Sequence, residues 1–166
     1  ATRLGKAIRF DVHDVRVFVG RGSSGVRGIR LKPNDFVVSM SLIPNLEKRF
    51  ILSVTENGFG KRTPIEDYRM TNRGGQGVAN IECSTRNGPV VASYVASEDD
   101  QIMLVTNSGK LIRIRVHGGE GDSIRVAGRK TQGVRLFDLD KEEKVVSVAL
   151  LTESDEEDNP DENDNE

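Results

Sequence analysis

The sequence has little of what most small catalytic or secreted domains rely on. It contains one cysteine, no tryptophan, and only two tyrosines and six phenylalanines. A single cysteine, Cys83, excludes an internal disulfide framework and any metal site built from several cysteines. No apolar run is long enough to cross a bilayer, and the first ten residues lack the apolar core of a secretory signal. We therefore expect no membrane segment and, by default, a cytoplasmic location.

Charge is distributed unevenly along the chain. Residues 153–166 carry nine acidic residues and no basic one, so residues 1–152 hold 24 basic against 17 acidic residues, a net charge of +7. A segment with high like charge and no apolar residue cannot bury a core, so we expect residues 153–166 to be disordered. A basic body attracts polyanions.

What the sequence does contain is a repeat. Three landmarks recur in one order at spacings of 51 to 56 residues: a turn leading into a short basic strand, a Gly-Val step, and a strand around a Val-Val pair. Their copies are residues 5–10, 58–63 and 109–114; Gly25-Val26, Gly77-Val78 and Gly133-Val134; and Val37-Val38, Val90-Val91 and Val145-Val146. Three landmarks that keep one period indicate tandem copies of one structural unit.

Each copy offers about four short strands rich in β-branched residues. Apolar runs joined through Asn-Gly or Asn-Ser-Gly predict hairpins over 51–63 and 102–114. We therefore predict an all-β, propeller-like array of about three four-stranded blades, at about 1–50, 51–100 and 101–152. These ranges are the first, second and third copies below. The first copy lacks its opening apolar strand, so we expect the chain to be the C-terminal part of a longer array.

A glycine-rich loop suggests a minor alternative. Gly20, Gly22 and Gly25 match the dinucleotide fingerprint, which requires a helix to begin at the last glycine. Residues 26–30 alternate like a strand instead. If the chain were a nucleotide-dependent enzyme, Gly22→Ala would abolish its cofactor binding. We expect no cofactor. His13 and His117 have no suitably spaced partner, so we predict neither a metal site nor a catalytic constellation.

Basic residues recur in phase with the repeat. The strand arginines are Arg9, Arg62 and Arg113, and the loop arginines are Arg21, Arg73 and Arg129. Nearby in sequence lie Arg27, Arg30, Lys61, Lys110, Lys130 and Arg135. In a radial array, equivalent positions share one rim, and a stripe of positive charge there suits DNA phosphates without reading bases. We predict that all of these residues contact double-stranded DNA. The alternatives are solvated strand faces or a propeller that binds an acidic protein.

Four strings resemble the last repeats of the C-terminal domain of DNA gyrase A: residues 22–31, 55–68, 100–116 and 128–137. The resemblance covers residues 1–152. It implies a six-bladed β-pinwheel whose neighbouring blades exchange strands, with this chain supplying about the last half. It also implies DNA wrapping that supports negative supercoiling, and a parent type IIA topoisomerase in which gyrase A pairs with gyrase B in a heterotetramer. The catalytic tyrosine and ATP site of that enzyme are expected elsewhere.

The family's signature is a basic loop of the form Q-R-R-G-G-K-G. Residues 71–77, the box-like loop, occupy the equivalent place in a later blade. They keep Arg73, Gly74, Gly75 and Gly77. Asn72 and Gln76 stand where the family's loop is basic, which implies a degenerate loop with weaker phosphate contact. The corresponding C-terminal domain of topoisomerase IV is the close alternative.

Overall fold

The computed structural model describes residues 1–43, 49–118 and 123–152. Its strands are β1 (Lys6–Ala7), β2 (Phe50–Thr55), β3 (Phe59–Pro64), β4 (Val78–Ala79), β5 (Val90–Ala96), β6 (Gln101–Thr106), β7 (Leu111–Arg115), β8 (Val134–Arg135) and β9 (Val145–Leu151). Within those ranges the helical segments are two 3₁₀ turns, Val12–Asp14 and Ile65–Asp67, and none could cross a membrane. The predicted all-β class is confirmed. The acidic tail, with its predicted disorder, lies outside the described residues.

Both predicted hairpins form. β2 pairs antiparallel with β3, and β6 with β7. Each turn contains a glycine with positive φ, Gly58 at 76° and Gly109 at 84°, where a side chain would be strained. The Gly58 amide donates to the Thr55 carbonyl at 3.1 Å and the Gly109 amide to the Thr106 carbonyl at 3.0 Å, which closes each turn.

Neighbouring copies exchange a strand. The sheet of the second copy has the order β5-β2-β3-β8, and its last strand belongs to the third copy. In the same way, β4 of the second copy pairs with β1 of the first. The described sheets therefore have two, four and three strands, so only one reaches the predicted four. The third sheet, β7-β6-β9, has three because no described strand lies beside β7.

The main core lies between the sheets of the second and third copies and is aliphatic, as the shortage of aromatic residues predicts. Its buried members are Leu52, Val54, Ala92, Ala96, Ile102, Leu104, Val116, Ile124, Val145 and Val148. The first copy has no counterpart of β2. Its Val37 forms an isolated bridge to Thr2, and its Val17, Val19 and Met40 are about nine-tenths or more exposed.

Candidate nucleic-acid interface

Two of the strand arginines, Arg9 and Arg62, donate hydrogen bonds to backbone carbonyls of the next copy. Arg9 Nη1 donates to the carbonyls of Ile65 at 3.2 Å and Tyr68 at 3.0 Å. Arg62 Nε donates to the carbonyl of Ile124 at 2.8 Å. Tyr68 and Ile124 occupy the same repeat position, because each lies two residues before the residue that bridges to its arginine. The interaction therefore repeats with the array.

The guanidinium of Arg62 also contacts Glu98 and the ring of Phe50. The residue is only 5 % exposed, its Nη1 lies 3.3 Å from Glu98 Oε1, and its Cζ lies 4.9 Å from the centre of the Phe50 ring. The third strand arginine, Arg113, is exposed on β7 and donates from Nε to Gln101 Oε1 at 2.7 Å. Because the Arg62 guanidinium is buried and already has these partners, it is not available to bind a phosphate.

Two loop arginines reach in the opposite direction, onto the preceding copy. Arg73 Nη1 donates to the carbonyl of Arg27, and Arg129 Nη1 donates to the carbonyl of Ala79 at 3.1 Å. Arg27 and Ala79 each lie two residues after the glycine of a Gly-Val step. Arg21, the third loop arginine, is exposed and has no side-chain partner among the described residues. The regular recurrence of the loop arginines, which suggested a stripe of DNA contacts, therefore also reflects hydrogen bonds between copies.

Lys61 is fully buried. Its exposure is 0 %, and its Nζ donates to the carbonyl of Gly128 at 2.5 Å. Burial, together with the nearby charge of Arg129, lowers its pKa to about 8. The other two copies have isoleucine at this position, Ile8 and Ile112. Lys61 is therefore a buried ionisable residue at a position where the other two copies have a half-buried apolar side chain.

Replacing Lys61 with isoleucine should raise stability and remove a pH dependence. The pKa of Lys61 is about 8 when folded, against an ordinary value of 10.5, so the unfolded chain binds more protons between these values. Wild-type stability should accordingly rise by about 2 kcal/mol from pH 7 to 9.5. Urea unfolding at both pH values should show the stability of the wild type rising by about 2 kcal/mol more than that of the variant. Gly128 keeps a hydrogen bond from Thr131 Oγ1 at 2.9 Å. An equal rise in both proteins would contradict the assignment.

The remaining predicted cations are exposed but differ in their partners. Lys110 Nζ lies 2.5 Å from Asp140 and 3.0 Å from Glu143, and Arg135 lies 2.6 Å from Asp138. Among the described residues, no hydrogen bond or ion pair engages the side chains of Arg21, Arg27, Arg30 and Lys130. These four are the predicted DNA-contact residues that can bind a phosphate without losing a protein partner.

The box-like loop packs on the first copy beside two of those four residues. The Gly74 amide donates to the Gly28 carbonyl at 2.7 Å, and the Arg30 amide donates to the Gly75 carbonyl at 2.8 Å. The side chains of Arg27 and Arg30, which come before and after Gly28 and Ile29 in the sequence, are exposed. Lys32, which is absent from the predicted contact set, is also exposed there. Lys32 lies two residues after Arg30, and this alternation of basic residues could have identified it as a candidate contact residue from the sequence.

The nucleotide-binding alternative lacks its structural context. No helix begins at Gly25 or within residues 26–43, so no helix N-terminus faces the loop. A Cβ atom added at Gly20, Gly22 or Gly25 would meet nothing within 4 Å. In the described ranges, no group of three or more His, Cys, Asp or Glu side chains could hold a metal ion.

Strand exchange between tandem four-strand units, together with exposed cations in their loops, defines a propeller-type repeat protein with a basic surface. The family model for the DNA gyrase C-terminal domain, a β-propeller, matches residues 1–44, 49–88 and 100–152. The chain belongs to this family.

Curated relatives agree with this assignment. The DNA gyrase A protein of Rickettsia prowazekii is 39 % identical over 94 % of the chain and 22 % of the relative. The DNA gyrase A protein of Thermotoga maritima is 45 % identical over 87 % of the chain and 17 % of the relative. The chain thus spans about a fifth of the length of these proteins.

Two solved domains share the fold closely. A DNA gyrase A C-terminal domain matches with a TM-score of 0.77 and 31 % identity, covering 91 % of this chain and 49 % of that one. The C-terminal domain of a DNA topoisomerase IV matches with a TM-score of 0.79 and 29 % identity, covering 90 % of this chain and 44 % of that one.

Proposed function

We propose that this chain binds and wraps duplex DNA without sequence specificity, as part of a DNA gyrase A protein. The observation that carries the proposal is that four of the predicted contact residues are exposed and have no ion-pair partner in the described ranges: Arg21, Arg27, Arg30 and Lys130. Arginine and lysine side chains on exposed loops bind phosphates, and phosphate contacts carry no sequence information. The net charge of +7 over residues 1–152 would draw DNA to this surface.

The proposed contact set is narrower than the predicted one. Hydrogen bonds to backbone carbonyls of neighbouring copies engage Arg9, Lys61, Arg62, Arg73 and Arg129. We assign these five to holding the array together and leave them outside the DNA-contact set. Their contribution to DNA binding is then indirect, because they set the spacing between copies that present the exposed cations. We also leave out Lys110, Arg113 and Arg135, whose side chains already contact Asp140, Gln101 and Asp138. The proposed contacts are then the four residues Arg21, Arg27, Arg30 and Lys130.

The wider setting follows from the family. We propose that the parent protein is a cytoplasmic, ATP-hydrolysing type IIA topoisomerase in which gyrase A pairs with gyrase B in a heterotetramer. This region would support negative supercoiling by wrapping DNA and would not itself be catalytic. The topoisomerase IV alternative has the TM-score of 0.79 in its favour. The identities of 39 and 45 % to gyrase A proteins favour gyrase.

Salt-dependent binding to duplex DNA tests the proposal. Fluorescence anisotropy with a mixed-sequence duplex, over roughly 50 to 200 mM KCl, should give a linear fall of log K with log salt. Four phosphate contacts correspond to a slope of about −3.6. The chain ending at Thr152 should bind as well, since the proposed contacts lie before it. The proposal would be contradicted if the shortened chain did not bind DNA at low salt. An affinity for an acidic peptide equal to that for duplex DNA would favour a protein-binding propeller.

A further inference from the structure

Three segments at equivalent positions of the repeat differ in charge. Each begins two residues after the glycine of a Gly-Val step, and we call them the flanks: residues 27–32, 79–84 and 135–140. At matching positions they carry Arg27, Arg30 and Lys32; Ala79, Glu82 and Ser84; and Arg135, Asp138 and Asp140. The net charges at these positions are +3, −1 and −1 in the first, second and third copies. The repeat preserves the position of the flanks but not their charge.

Ion pairs in the third flank increase the difference in available positive charge between the flanks. In the first flank the three cations are exposed, and no hydrogen bond or ion pair engages their side chains among the described residues. In the third flank Arg135 is paired with Asp138 at 2.6 Å, and Asp140 is paired with Lys110 at 2.5 Å. A phosphate approaching Arg135 or Lys110 must compete with a carboxylate already in contact, and it meets repulsion from that carboxylate.

The loop arginines show the same gradient independently. Arg73 and Arg129 donate to carbonyls of the preceding copy, whereas Arg21 of the first copy is exposed without a side-chain partner in the described ranges. Two separate series of equivalent positions therefore leave their available cations in the first copy.

We infer that the DNA-binding surface of this chain is graded, with the phosphate contacts concentrated on Arg21, Arg27, Arg30 and Lys32 of the first copy. The flank of the third copy contributes little, because its own carboxylates neutralise its cations. This inference rests on the proposed function and specifies where the duplex docks. It also means that the box-like loop, packed on residues 28–30, lies beside the strongest contact region.

Two double variants with the same change in net charge separate the two ends. Arg27→Ala with Arg30→Ala removes two cations of the first copy, and Lys110→Ala with Arg135→Ala removes two cations of the third. The first pair of changes keeps the backbone carbonyl of residue 27 that accepts from Arg73. In the full chain, anisotropy titrations should show the salt slope of the first variant reduced by about 1.8 and its affinity lowered roughly tenfold at about 100 mM KCl. The second variant should bind within about threefold of wild type, with an unchanged slope.

Thermal unfolding of both variants controls for loss of fold. Equal reductions in slope and affinity in two folded variants would overturn the graded surface while leaving DNA binding intact. A larger loss from the third-copy pair would overturn it as well. A wild-type chain without salt-dependent binding would overturn the proposed function itself, and the graded surface with it.

Discussion

Alanine at Gly77 is expected to lower the free energy of unfolding by about 3 kcal/mol or more, whereas alanine at Gly25 should change it by less than about 0.5 kcal/mol. Gly77 has a φ of 70°, and a Cβ there would lie 2.4 Å from the Ala7 carbonyl oxygen. This is where β4 of the second copy pairs with β1 of the first. Both the backbone conformation and the strand exchange therefore require glycine. Urea unfolding monitored by circular dichroism measures the difference.

Gly25 is the matched control because it occupies the same place in the Gly-Val step of the first copy. A Cβ at Gly25 would meet nothing within 4 Å, and its φ lies outside the left-handed region. Gly133, with a φ of 77° and a Cβ position 2.7 Å from the Gly60 carbonyl oxygen, should behave like Gly77. Similar losses at Gly25 and Gly77 would show that the step matters for a reason other than strand exchange.

Leucine at Asn80 should lower the free energy of unfolding by about 3 to 5 kcal/mol. Asn80 is fully buried; its Oδ1 accepts from Tyr68 Oη at 2.5 Å, and its Nδ2 donates to Ser53 Oγ at 2.9 Å and Ser93 Oγ at 3.0 Å. The two serine hydroxyls are 2.7 Å apart. A leucine has the same branching at Cγ, but it leaves three buried hydroxyls short of a partner. Chemical denaturation measures the loss.

The third copy shows how that loss can be recovered. At the positions equivalent to Tyr68, Asn80, Ser53 and Ser93 it has the apolar residues Ile124, Leu136, Leu104 and Val148. Transferring all four to the second copy, as Tyr68→Ile, Asn80→Leu, Ser53→Leu and Ser93→Val, should restore most of the stability, because no hydroxyl remains unpaired. A quadruple variant as unstable as Asn80→Leu alone would contradict this explanation.

Turn motifs and the repeat alignment predict different parts of the structure. The motifs placed the two hairpins correctly, since Asn-Gly and Asn-Ser-Gly between apolar runs favour tight turns whatever lies around them. The alignment could have revealed the buried polar cluster, because Asn80 and Ser53 stand where the third copy has leucines. Lys61, flanked by Arg62 in a basic string, resembled a surface cation, and only its equivalence to Ile8 and Ile112 pointed to burial.

The amino-acid sequence alone was sufficient for the all-β class, the three copies and the basic body with its acidic tail. These features depend on turn residues, β-branched residues and charge, which act locally or add along the chain. Which arginines face solvent was decided by the tertiary structure. Strand exchange carries Arg9 to the carbonyl of Tyr68, 59 residues away, and Arg62 to that of Ile124, 62 residues away. A guanidinium has the same chemistry at a copy interface and at a phosphate, so only its surroundings distinguish the two roles.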